Sequence, residues 1–132
     1  VNVVVDTSVW SLFLRRKAII DRNEHVQKLC FLLENETVFL VGIILQEILD
    51  GLKSEKQWNT LIKYSQPFPL VDCTRDDFID AAKYKNRCRQ RGIQAGTFDF
   101  LITAVCINHH MPLLTADQDF RHISKHCPLI LL

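Results

Sequence analysis

At 132 residues with 48% hydrophobic content, the chain is long enough for one domain with a substantial core. No apolar run reaches the ~20 residues of a membrane-spanning helix, and no basic, apolar leader opens the chain. The expectation is a single domain over residues 1–132, cytoplasmic and off the membrane. Sixteen Lys and Arg nearly cancelled by fifteen Asp and Glu exclude a binder driven by bulk positive charge, and five cysteines without a C-x-x-C pair argue against a zinc or disulfide framework.

Val1 to Val5, apolar apart from Asn2, predicts a strand covered on both faces, and Asp6-Thr7-Ser8 supplies turn and cap residues before a short helix over Val9 to Leu14. A helix from about Asp21 to Glu34 is predicted to bury Val26, Leu29, Cys30 and Leu33. Thr37 to Val41 reads as a second strand. Gly42 breaks it, and Ile43 to Lys53 reads as a helix with Ile44, Leu45, Ile48, Leu49 and Leu52 inward. The next helix, Ser54 to Tyr64, is predicted to bury Trp58, Leu61 and Ile62, and Pro67 and Pro69 frame a short strand from Phe68 to Val71. Thr74-Arg75-Asp76-Asp77 has the form of a capping box with Asp in place of Glu and opens a long helix to Arg91, with Gly92 just past its end. Thr97 starts a helix that Pro112 stops; a short buried strand follows, then a helix from about Asp119 to Lys125 and a last strand, Leu129 to Leu132. Strands alternating with helices predict an α/β three-layer sandwich around a central parallel sheet of about five strands, with right-handed crossovers.

Taken singly, the acids have bland readings. Asp6 and Asp117 suit helix caps, and Asp99 complements a helix dipole. Glu47 borders the apolar stripe of its helix. Jointly they are harder to dismiss, because Asp6 and Asp117 end strands while Glu47 and Asp99 lie near helix starts, so all can face one crevice outside the carboxyl ends of the sheet. Carboxylates so crowded raise one another's pKa unless cations intervene, and hard oxygen donors suit Mg²⁺ or Mn²⁺. Metal-dependent phosphodiester hydrolysis is the reaction class implied. Lys83, Lys85, Arg87, Arg89 and Arg91 form a basic helix end, and Arg15-Arg16-Lys17 a second cluster. Charge alone favours a solvated face for them, with phosphate contact by Arg87, Arg89 and Arg91 the functional alternative. His122 and His126 lack the Glu of a zinc protease helix, four scattered glycines form no phosphate loop, and Trp10 and Trp58 read as core or interface aromatics more readily than as base-stacking ones.

Four blocks together carry a resemblance. Val3-Val4-Val5-Asp6-Thr7-Ser8-Val9-Trp10, Leu45-Gln46-Glu47-Ile48-Leu49-x-Gly51, Asp99-x-Leu101-Ile102-x-Ala104 and Leu114-Thr115-x-Asp117-x-Asp119-Phe120 resemble the successive motifs of PIN-domain ribonucleases, most of all the VapC toxins of bacterial VapBC pairs. The resemblance implies that Asp6, Glu47, Asp99 and Asp117 hold Mg²⁺ (or Mn²⁺) and carry catalysis, with Asp119 supporting them or serving as a fifth acid. It implies that Ser8 hydrogen-bonds a catalytic Asp. It also implies a homodimer that cleaves RNA (transfer, ribosomal or messenger) and is silenced by a VapB-like antitoxin. Arg87 to Gly92 matches the basic helix end before the third acid, whereas Phe98 and Phe100 flank Asp99 where smaller residues are common. A haloacid-dehalogenase-type phosphatase also begins with Asp at the end of a first strand, but its second acid is replaced here by Ser8. A non-catalytic PIN-like binding module would have no reason to keep every acid.

Overall fold

The computed structural model describes residues 1–15, 23–35 and 37–132. Arg16 and Lys17 of the second basic cluster, and the predicted helix start at Asp21, lie outside them. Among the described residues four strands, β1 (Val3–Val5), β2 (Val38–Val41), β3 (Leu70–Val71) and β4 (Leu113–Leu114), form one parallel sheet in the order β3-β2-β1-β4. β1 is central: Val3 pairs with Val38 on one side, and Val4 and Val5 pair with Leu113 and Leu114 on the other. All three β1 valines are buried, so both faces of the sheet are covered, as expected for parallel strands. Among the described residues seven helices do the covering: α1 (Thr7–Arg15), α2 (Glu24–Glu34), α3 (Gly42–Asp50), α4 (Glu55–Ser65), α5 (Arg75–Gln90), α6 (Thr97–Asn108) and α7 (Gln118–Ser124). α1 packs on α2 and α3, and α5 packs on α6. Among the described residues, no helix is long and apolar enough to cross a membrane.

Several elements depart from expectation. The predicted fifth strand, Leu129 to Leu132, is reduced to a single parallel bridge between Leu131 and Leu113, because β4 offers only two residues to pair with. Val1 is almost fully exposed, and β1 starts at Val3. α1 begins at Thr7, two residues early, because the Asp6 carbonyl already accepts the amides of Val9 and Trp10. In α2 the buried stripe is Val26, Leu29 and Leu32, whereas Cys30 is exposed and Leu33 only partly covered. In α3 Ile44 and Ile48 are buried, while Leu45, Leu49 and Leu52 are half-buried. α4 buries only Leu61. Trp58 and Ile62 are exposed, the Trp58 indole N–H donating to the Leu52 carbonyl at 3.2 Å. An apolar groove of about 400 Å³ runs between the end of α1 and α4 past Phe13, Leu14, Leu61 and Tyr64. α5 ends as predicted at Gly92, whose φ of 76° lets the chain turn back so that the Ile93 amide bonds the Cys88 carbonyl at 2.9 Å.

Candidate active site

The carboxyl end of β1 is built around Asp6, which is 5% exposed. Its amide continues the sheet by donating to the Leu114 carbonyl at 2.9 Å, and its own carbonyl opens α1. Its side chain is held through one oxygen. Ser8 Oγ donates to Asp6 Oδ2 at 2.7 Å, Thr115 Oγ1 donates to the same atom at 2.9 Å, and the Ser8 amide lies 3.4 Å away. The Ala116 amide donates to Ser8 Oγ at 3.0 Å, so these hydroxyls latch the β1–α1 turn to the β4–α7 turn. No hydrogen bond from the described residues reaches Asp6 Oδ1.

Asp117 and Asp99 arrive from helix starts, and Glu47 from the second turn of α3. Asp117 caps α7 by accepting the Asp119 amide on Oδ1 at 2.9 Å. Asp99 reaches back from the first turn of α6 to accept the Gly96 amide on Oδ2 at 2.9 Å. A Cβ at Gly96 would stand 3.3 Å from that oxygen, which explains glycine there without any need for unusual backbone angles. Glu47, on the exposed side of α3, accepts from Thr7 Oγ1 at 3.2 Å. The bland readings of Asp99 and Asp117 thus describe real bonds, but each bond uses a single carboxylate oxygen.

Electrostatics ties these acids together. Burial lifts the Asp99 carboxyl above its ordinary range, and the negative charges of Asp117, Asp6 and Asp119 add to the lift against the opposing Gly96 bond. Glu47 is raised by burial first, then by Asp6, Asp99 and Asp50, with Thr7 opposing. Among the described residues, none of these five acids has a Lys or Arg partner. Nor do any three acid, His or Cys side chains there already converge as a ligand cluster. The donor chemistry nonetheless fits a hard divalent cation, since the groups are all oxygens and two of them carry uncompensated repulsion.

The basic end of α5 lies at the same end of the molecule as Asp99. Lys85 Nζ donates to Thr97 Oγ1 at 2.8 Å. Arg87 is directed elsewhere, bonding the His126 carbonyl at 3.2 Å and lying over the Tyr84 ring. Arg89 bonds Asn86 Oδ1, and Arg91 is the exposed C-cap. Trp10 is buried against Phe13 and Phe68. Two residues that sequence reasoning did not single out, Thr7 and Thr115, hold Glu47 and Asp6. Their signal was adjacency, a hydroxyl one or two residues from an acid in each motif block.

The PIN domain family model matches residues 3–126. The chain belongs to the PIN domain family. No curated protein sequence matches it. Among solved structures, this PIN domain is similar to VapBC2 from Rickettsia felis bound to a DNA fragment from its promoter (TM-score 0.79, 18% identity, 100% of this chain and 98% of that one covered). It is also similar to FitAcB from Neisseria gonorrhoeae (TM-score 0.72, 21% identity, 98% and 96% covered). A toxin–antitoxin complex from Klebsiella pneumoniae shares the fold as well (TM-score 0.66, 15% identity, 90% of each chain covered).

Proposed function

We propose that this PIN domain is a Mg²⁺- or Mn²⁺-dependent endoribonuclease toxin that hydrolyses RNA phosphodiester bonds and is neutralised by a VapB-like antitoxin. The observation carrying the reading is that the charges of Asp6, Glu47, Asp99, Asp117 and Asp119 act on one another while, among the described residues, none of them has a Lys or Arg partner. Asp6, Glu47, Asp99 and Asp117 would hold the ion, with Asp119 beside them. A divalent ion bound there would activate a water and stabilise charge developing on the phosphodiester. The chain's own part is positioning. Ser8 and Thr115 fix Asp6 through Oδ2, and Asp99 and Glu47 give up their protons more reluctantly than ordinary carboxyls, so ion binding and activity rise with pH through their raised pKa values. A basic antitoxin segment would match the same acids, placing an Arg among Asp6, Glu47 and Asp99 by charge-assisted hydrogen bonds. The fold shared with VapBC2 and the Klebsiella toxin–antitoxin complex supports that partner, and a cytoplasmic homodimer is the assembly proposed with it. The test is to incubate cellular RNA with the purified protein in Mn²⁺ or EDTA and sequence the new RNA ends. Discrete ends are expected from wild type in Mn²⁺, and none from Asp6→Asn. Equal cleavage by Asp6→Asn, or cleavage indifferent to EDTA, contradicts the reading.

A further inference from the structure

We propose that Phe98 is a base-stacking platform beside Asp99 and that Lys85 holds the adjoining phosphate, so that the two select single-stranded RNA by its π-faces. This rests on the nuclease reading above and names how its substrate is gripped. Phe98 is 54% exposed, while Phe100 is 1% exposed, so the first turn of α6 is anchored in the core by one ring and presents the other to solvent. The presented ring immediately precedes Asp99, the acid coupled to Asp117, Asp6 and Asp119. Lys85 Nζ is fixed on the neighbouring Thr97 hydroxyl at 2.8 Å and makes no salt bridge among the described residues, which leaves ammonium protons for an anion. The exposed residues just before the ring, Gln94, Gly96 and Thr97, carry no large apolar group. A lone aromatic with a cation in a polar setting suits a nucleobase and its phosphate, whereas a protein contact would call for a continuous apolar patch.

The test measures anisotropy of fluorescein-labelled rA12 and rU12 in EDTA, followed by cleavage kinetics of the same oligonucleotides in Mn²⁺. Phe98→Ala and Phe98→Leu should both weaken rA12 binding by about tenfold, and rU12 by less because pyrimidines stack more weakly. Phe98→Trp should retain affinity. Lys85→Met should weaken both RNAs alike and flatten the salt dependence. In cleavage, Phe98→Ala should raise KM with kcat nearly kept. Wild-type affinity for Phe98→Ala, or affinity for Phe98→Leu equal to that of wild type, overturns the stacking role. So does unchanged RNA binding combined with a reduced sedimentation mass, which makes Phe98 a contact between copies. If wild type cuts RNA and Phe98→Ala is indistinguishable from it, only this inference falls; if wild type neither binds nor cuts any RNA, the nuclease reading falls with it. Unaltered melting temperatures confirm that the variants are folded.

Discussion

Asp77 and Asp99 occupy the same local position at opposite ends of the α5–α6 pair. Each sits in the first turn of a helix and reaches back through Oδ2 to the N-cap amide at 2.9 Å, that of Thr74 for one and of Gly96 for the other. Their surroundings differ completely. Asp77 is fully buried, yet Asn108 donates to its Oδ1 at 2.9 Å and His109 Nε2 lies 3.2 Å from its Oδ2. Burial works against its charge, but the bonds from Thr74, Asn108 and His109 outweigh it and hold the carboxyl below its ordinary range. Asp99 has one backbone bond and Asp117, Asp6, Asp119 and Glu47 as acidic neighbours, and is pushed up. The same capping motif therefore fastens two helices at one end of the pair and leaves repulsive charge at the other. Compensation, not the motif, separates a structural acid from a candidate functional one.

The largest effect should come from the compensated side. Asp77→Ala strands the Thr74 amide and the Asn108 amide group and should destabilise by about 2–4 kcal/mol in urea melts at neutral pH. Because the folded pKa is depressed, this stabilisation is present above the ordinary Asp value and is lost as pH falls through the folded one. The gap between wild type and Asp77→Asn should accordingly close on acidification. A gap that stayed constant to low pH would mean that packing, not charge, holds this end together. Next, Thr115→Val removes one of the two hydroxyls on Asp6 and should cost about 1 kcal/mol, measured the same way. Thr7→Val loses a longer, exposed bond to Glu47 and should cost no more than about 0.5 kcal/mol. A Thr7 effect as large as that of Thr115 would show Glu47 to be more tightly held than its exposure implies.

The architecture was legible because its signals are local. Three consecutive valines mark a strand with both faces covered, Thr74-Arg75-Asp76-Asp77 marks a helix start, and Gly92 marks its end. Burial patterns were less legible where a helix packs along one edge only. Trp58 and Ile62 have helical spacing around Leu61, but α4 buries only Leu61 and leaves the flanking pair exposed. The last strand failed for a non-local reason, since its pairing depends on the length of β4. For the site, strand and helix ends place the acids near one another. What spacing could not give is which oxygen of Asp6 is occupied, that Arg87 turns toward His126, or that Asp77 is satisfied while Asp99 is not, because each depends on a residue distant in the chain.

The central claim is that the Asp99 end carries charge awaiting a cation, and thermal melts of wild type and Asp99→Asn, each in EDTA and in Mn²⁺, test it most directly. A carboxyl whose folded pKa is raised loses stability as pH rises from its ordinary value through the folded one, so above that window ionised Asp99 weakens the metal-free fold. Asparagine can still accept the Gly96 amide without the charge. In EDTA near neutral pH, Asp99→Asn should melt slightly above wild type, and the difference should vanish below the ordinary Asp value. Mn²⁺ should stabilise wild type by about 2.7 kcal/mol at roughly a hundredfold excess over Kd and the variant far less. A variant less stable than wild type in EDTA, with neither protein responding to Mn²⁺, would contradict the account and return Asp99 to the role of a helix cap.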